Sequence, residues 1–315
     1  MSLLFVVGFS LILGLLFGSF LNVCIARLPR HQSVVSPRSH CPQCQHPIRW
    51  YDNVPIVSWL VLRGRCRDCQ QTIPWHYPLV ELVTGLWFAA AGLRIYSDYS
   101  VYFLDANSSG SMSGFLSHLT GDLGFATLGF LLIGLVVMDW QTQLLPDAFT
   151  VTGTAIALLL LCIRAAFLGP HEGDVILNTT HQLRMSSPGS LGVHGNIFVT
   201  GTESLLYGRV LAVAAAAGLL YLIRWGYERV RHREGLGLGD IKLMAMMVAF
   251  LGFAPGMLAL LLGTVGASGY GMLLLVRGKA GVASRLPLGS FLSVGGMIAA
   301  AYGNRLIEGY LALLR

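Results

Sequence analysis

The sequence predicts an all-α polytopic membrane protein of about eight transmembrane helices, with a small cytoplasmic loop domain built on four zinc-binding cysteines. Three observations carry this. The chain of 315 residues is 54% hydrophobic and only 11% charged, against about 25% charged residues in a soluble domain. Its apolar residues fall into long runs of bilayer-spanning length. Between the first two runs lie two C-x2-C pairs, Cys41/Cys44 and Cys66/Cys69, in an arginine-rich segment.

The first run, Leu3–Ile25, is too long for a signal-peptide core and lacks a basic leader before it and an Ala-x-Ala-like cleavage site, so it reads as a retained helix. Further runs follow at Pro78–Leu93, Leu119–Met138, Ala148–Leu168, Leu205–Ile223, Ile241–Phe253, Pro255–Val276 and Leu288–Leu311, the second and sixth being short. The implied division is residues 1–27 as the first helix, 28–77 as the loop domain and 78–315 as the transmembrane core, with an insertion at 169–204. That insertion has no clear periodicity and reads as a partly disordered loop outside the membrane. No internal repeat is evident. The formal charge of +6 comes mostly from loop arginines, which suits orientation and anionic headgroups of the lipid bilayer rather than nucleic acid. Arg27, Arg30, Arg38, Arg49, Arg63, Arg65 and Arg67 mark the first loop as cytoplasmic, and both termini then face outward.

In the first loop, two C-x2-C knuckles at this separation offer four thiolates to a tetrahedral structural Zn2+. Two disulfides are the alternative, but thiols stay reduced in the cytoplasm. His40 and His46 flank the first knuckle as spare ligands, and Cys24 and Cys162 read as packing residues. Trp50-Tyr51-Asp52-Asn53-Val54-Pro55 and Trp59 read as the small domain's core and a membrane-facing belt.

Two carboxylates remain at the edges of apolar runs, where acidic residues are disfavoured and usually functional. Asp240 follows Gly235-Leu236-Gly237-Leu238-Gly239, whose side-chain-free positions let another backbone approach; its plain alternative is a helix N-cap. Asp139 ends the third apolar run, where the macrodipole opposes a carboxylate. Both fall on the same membrane side, so they can share a proton, one acting as base on water and the other as acid on a carbonyl. Asp147, after Pro146, is placed to cap the fourth helix. Lys242 either touches an aspartate or substrate or serves as a positive-inside anchor.

These residues resemble the type IV prepilin peptidases, membrane aspartyl proteases with a Gly-x-Gly-Asp motif. The likeness runs through Gly18-Ser19-Phe20-Leu21-Asn22-Val23, Pro37-Arg38-Ser39-His40-Cys41-Pro42-x-Cys44, Trp50-Tyr51-Asp52-Asn53-x-Pro55, Arg63-Gly64-Arg65-Cys66-Arg67-x-Cys69, Tyr77-Pro78-Leu79-Val80-Glu81, Asp139 with Leu144-Leu145-Pro146-Asp147, and Gly237-Leu238-Gly239-Asp240-Ile241-Lys242-Leu243. The resemblance implies a bacterial inner-membrane enzyme that cuts the leader from type IV prepilins or type II secretion pseudopilins at the cytoplasmic face, with contacts to the pilus or secretion machinery. It places the catalytic pair on Asp139 and Asp240, with Gly237, Gly239 and Lys242 in support. It also implies methylation of the new N-terminus with S-adenosylmethionine, for which Glu81, Asp52 and Asn53 are candidates. The 169–204 insertion departs from the family pattern. A transporter using the carboxylates as ion or proton sites is the rival reading, but it leaves the cysteine loop without a role. A structural subunit that docks through the loop, or a peptidase without methyl transfer, are further alternatives.

Overall fold

The computed structural model describes residues 2–104, 112–167, 175–177, 183–185, 202–231, 236–278 and 286–313. The eight apolar runs all form helices: α1 (Leu3–Arg27), α3 (His76–Tyr99), α4 (Met112–Thr142), α5 (Asp147–Phe167), α6 (Thr202–Arg231), α7 (Leu238–Leu251), α8 (Phe253–Val276) and α9 (Leu288–Leu313), with a short α2 (Val57–Val61) inside the first loop. Six of them are long and apolar enough to cross a membrane on length and composition. The run expected at Pro78–Leu93 extends to the full α3. By contrast α7 has only 14 residues, roughly 21 Å of helix, and Leu243, Met244, Met246, Met247 and Val248 on it are fully buried. It sits inside the bundle, wrapped by α5, α6, α8 and α9. Most of the 169–204 insertion lies outside the described residues; within it, Val175–Leu177 and Leu183–Met185 pair as a short antiparallel ladder.

Two packings position the first loop and the two carboxylates. Gly14 and Gly18 form a small-x3-small stripe on α1: a Cβ on Gly14 would lie 2.8 Å from the Thr84 carbonyl, and one on Gly18 2.7 Å from the Glu81 Cα, so α1 and α3 touch backbone to backbone. A second core gathers Leu128, Leu132, Leu135 and Met138 of α4 with α7 and with Leu292 of α9. Leu21 in the last third of α1 lies against Gly134 in the last third of α4, and the loop residue Val34 packs on the same core. The first loop therefore stands at the end of the bundle where α4 finishes and α7 and α9 begin.

The loop is a folded unit, and it contains a repeat that the sequence reading missed. Cys41 N donates to His46 O (3.0 Å), Gln45 N to Cys41 O (2.9 Å) and Ile48 N to Ser39 O (2.8 Å). Twenty-five positions on, Cys66 N donates to Gln71 O (2.8 Å), Gln70 N to Cys66 O (3.0 Å) and Ile73 N to Gly64 O (2.6 Å). The bridges His40–Pro47 and Arg65–Thr72 repeat at the same offset, as do the left-handed Gln45 and Gln70 and the exposed Trp50 and Trp75. Trp59 fills the centre: its indole N–H donates to Ile73 O (3.2 Å) and its ring covers Gly64.

Candidate active site

Asp139 lies in the last turn of α4 and is only 5% exposed. The dipole of its own helix disfavours it, yet the N-terminus of α9 receives it. Ser290 N donates to Asp139 Oδ2 at 2.6 Å, and the Ser290 hydroxyl lies between that oxygen (3.0 Å) and the Val136 carbonyl (2.9 Å). A free backbone N–H at a helix start, with the positive end of the dipole behind it, is a natural holder of a carboxylate. One oxygen of Asp139 is thus pinned.

Asp240 occupies the third position of α7, behind Gly237 as N-cap. This corrects the N-cap alternative: the carboxylate is at N3, where acidic side chains fold back towards the cap. A Cβ on Gly237 would lie 3.2 Å from Asp240 Oδ2, so the absence of a side chain there leaves the carboxylate room. Asp240 is half-buried and close enough to Asp139 for the two charges to act on each other.

Leu145 joins the two positions. It packs under Gly239, where a Cβ would meet its Cβ at 3.2 Å, and under Gly289, where a Cβ would come within 2.9 Å of its Cδ1 and 3.1 Å of Asp139 Cγ. Two glycines and one leucine therefore set the approach of the α7 and α9 N-termini around the aspartates. Trp140, next to Asp139, clusters with Tyr270 and Phe291 at ring separations of 5.7 and 6.3 Å and is half-exposed. Lys242, the remaining residue expected here, pairs with Asp147 through Nζ to Oδ1 at 2.6 Å, both groups being exposed. Asp147 is the first residue of α5, and the pair ties the starts of α5 and α7 together at this end. Sequence reasoning missed Ser290 and Gly289; the signal available was Pro287 before an apolar run, with a hydroxyl in its first turn.

The four cysteines of the loop meet as expected. Their sulfurs all lie within 4.8 Å of one another, and Cys41 Sγ is 3.8 Å from Cys69 Sγ. Zn–S bonds of 2.3 Å imply tetrahedral edges of about 3.8 Å, so the set fits a structural zinc. Burial works against ionisation of Cys41, but the N–H groups of Cys44 and Gln43 bring its thiol down to about 7. Cys69, despite the Gln71 N–H, is pushed up to about 11 by burial and by its three cysteine neighbours. Such crowding of thiolates is what a divalent cation relieves. His40 Nδ1 faces Arg38 O at 3.0 Å and the His46 carbonyl is taken by Cys41; neither histidine joins the four-sulfur group.

Of the methyl-transfer candidates, Glu81 accepts from Ile56 N at 2.7 Å, which pins the strained Ile56 (φ 59°) of the loop. Asn22 Nδ2 donates to Tyr77 O at 3.0 Å beside it. Asp52 is held by Arg67 through two bonds of 2.6 and 2.9 Å, and that guanidinium keeps its carboxyl below the usual range. Asn53 is exposed.

The sequence profile of the bacterial peptidase A24 N-terminal domain matches residues 12–95, and that of the type IV leader peptidase family matches residues 189–272. The first takes in α1 from residue 12 on, the cysteine loop and Glu81; the second takes in Asp240, and Asp139 lies between the two. The chain is 30% identical to the prepilin leader peptidase/N-methyltransferase of Stutzerimonas stutzeri, over 97% of this chain and 94% of that protein. It is 34% identical to the one from Myxococcus xanthus, over 87% of this chain and 64% of the relative. Against the one from Pseudomonas aeruginosa it is 29% identical, over 96% and 92%. No solved structure matches the chain. With one relative matched at this identity over nearly its whole length, the chain belongs to the type IV leader peptidase family, a family of proteases.

Proposed function

We propose that this membrane enzyme hydrolyses the leader from type IV prepilins or type II secretion pseudopilins, with Asp139 and Asp240 as its catalytic pair. The observation that carries the assignment is that two carboxylates from separate helices come together at one end of the bundle. Each stands by a helix N-terminus, beside glycines that leave room for an extended peptide.

Two carboxylates whose charges act on each other do not both ionise readily, so one is taken as the ionised member and the other as the protonated one. The ionised member takes a proton from a water as its oxygen attacks the carbonyl carbon; the protonated member gives its proton to the carbonyl oxygen. Collapse of the tetrahedral species breaks the C–N bond, with the proton passing to the departing amine. The net reaction is one water and one peptide bond giving a carboxylic acid and an amine. Ser290 fixes Asp139 so that its other oxygen faces this exchange. Gly237 and Gly239 are proposed to flank the peptide path, and Lys242 holds the α7 start through Asp147. The Trp140, Tyr270 and Phe291 cluster offers an apolar wall to the membrane stem of the substrate.

The basic first loop supports a cytoplasmic location for this end, in the bacterial inner membrane with both termini outside. The division into 1–27, 28–77 and 78–315 follows the same reading. Cys41, Cys44, Cys66 and Cys69 would hold Zn2+, which supplies no chemistry but closes the loop. The names of the relatives support methylation with S-adenosylmethionine. Glu81 and Asp52 do not fit as an acceptor set for it, since both carboxylates are engaged by the protein's own donors, so no step of methyl transfer is assigned to them.

The test is leader removal from a purified prepilin in detergent. Asp139→Asn and Asp240→Asn are expected to abolish cleavage and Asp147→Asn to retain most of it. Cleavage by Asp139→Asn at the unaltered rate would overturn the assignment.

A further inference from the structure

A second group of charges lies at the other end of the bundle. Arg94 of α3, Asp122 of α4 and Arg164 of α5 line a cavity of about 270 Å3 together with Asp98, His118 and Gly121. Asp122 is 17 residues before Asp139 on α4, and Arg164 is 17 after Asp147 on α5, so each stands roughly 25 Å along its helix from the aspartate end. The hydrocarbon layer is about 30 Å thick. The cavity therefore sits at the depth of the opposite headgroups.

The charges there are unevenly matched. Arg94 Nε donates to Asp122 Oδ1 at 2.9 Å, and His118 Nδ1 is 3.4 Å from Asp98 Oδ2. Arg209 faces the carbonyls of Val248 and Phe250 at the end of α7, where the dipole is negative. Arg164 has no comparable partner among the described residues. Its Nε is buried without a hydrogen bond, and so is Asp122 Oδ2, on a residue only 2% exposed. Its counter-charge is Asp122, which Arg94 already engages and beside which the Asp98 carboxylate also stands. A buried donor and a buried acceptor without a hydrogen bond in one cavity each carry a desolvation penalty.

We propose that this cavity binds a phosphoethanolamine group, its phosphate on Arg164 and Arg94 and its ammonium on Asp122 Oδ2. A zwitterion satisfies both open groups at once. A simple anion would face the Asp122 carboxylate and, beside it, that of Asp98, and a quaternary ammonium has no N–H to give them. Two sources carry this chemistry: phosphatidylethanolamine of the adjacent leaflet and soluble O-phosphoethanolamine.

The test uses the full chain, delipidated in detergent, with lipid occupancy read by native mass spectrometry. Short-chain phosphatidylethanolamine, phosphatidylcholine and phosphatidylglycerol are titrated in turn. The ethanolamine lipid is expected to bind most tightly, and Arg164→Gln to weaken it about tenfold, as loss of one charge-assisted contact would. Asp122→Asn is expected to erase the preference for ethanolamine over choline. Gly121→Leu fills the cavity with every charge kept, since a Cβ there meets only Arg164 Nη1 at 3.8 Å, and it is expected to weaken binding as much as Arg164→Gln. It keeps the test alive if the arginine variant fails to fold. Displacement of bound lipid by O-phosphoethanolamine would support the site with a soluble ligand; failure to displace would support it with the lipid. Equal binding of the three lipids, or ethanolamine-lipid binding unchanged in Gly121→Leu, would overturn the proposal.

Discussion

Gly289→Ala separates stability from catalysis at the aspartate pair. In the first turn of α9 an alanine is intrinsically favoured over glycine by about 1 kcal/mol, so the helix itself gains. The added methyl, however, would stand 2.9 Å from Leu145 Cδ1 and 3.1 Å from Asp139 Cγ. Leu145 is half-buried and can turn its far end aside. Asp139 cannot do so freely, because Ser290 N holds its Oδ2 at 2.6 Å and Ser290 itself is the next residue on the moving helix. Relief to ordinary contact requires displacing the carboxylate by some tenths of an ångström. A misplacement of 1 Å costs on the order of 100-fold in rate, so a loss of about 5- to 30-fold in kcat for leader removal is expected, with the thermal midpoint unchanged or raised. The assay is cleavage of a purified prepilin at saturating concentration, alongside a thermal unfolding scan of the same preparation. A kcat within twofold of the unaltered enzyme would refute the reasoning, as would a loss of activity explained by a lowered midpoint.

Other consequences are checked more simply. Glu81→Ala removes the acceptor for Ile56 N and is expected to speed amide exchange across residues 50–60, whereas Glu81→Gln keeps an amide oxygen there and is expected to stay near the unaltered rate. Metal analysis of the purified protein should give one zinc per chain, and Cys44→Ser should lose it together with protection of the loop against proteolysis, while the transmembrane helicity read by circular dichroism is retained. Asp52, held low by Arg67, contributes to the loop fully at neutral pH, and that contribution fades only as pH falls through its depressed value. Its carboxyl resonance should therefore titrate below the ordinary range of about 4, and Arg67→Gln should return it there.

The positions of the helices were legible because membrane-spanning runs announce themselves by length and composition, and the loop domain because four sulfurs at knuckle spacing have few other uses. Two features escaped for physical reasons. The burial of α7 inside the bundle depends on which neighbours surround it, and an apolar 14-residue helix looks the same whether it meets lipid or protein. The loop's repeat is carried by backbone bonds around Cys41 and Cys66, with the cysteines, Arg38 and Arg63, Gln45 and Gln70, Ile48 and Ile73, and Trp50 and Trp75 agreeing in sequence, too few to stand out without the fold.

The site divides the same way. Asp139 and Asp240 could be singled out because a carboxylate at the edge of an apolar run needs a reason, and for Asp139 capping of its own helix could not supply one. The reason lies far along the chain, in the free N–H groups at the start of α9, which no local pattern around Asp139 reveals. Neither aspartate is simply exposed to the hydrocarbon edge: α9 supplies donors to one, and the other folds back on its own helix start. Placing both acids at helix N-termini lets a membrane protein hold carboxylates away from water; among the described residues no cation is bonded to either of them, as the proposed proton exchange requires. The lysine nearest in sequence, Lys242, is instead drawn off to Asp147. If Asp139 and Asp240 act as the proposed pair, Lys242 set against Asp240 instead would favour its charged form and oppose the proton exchange the proposal needs.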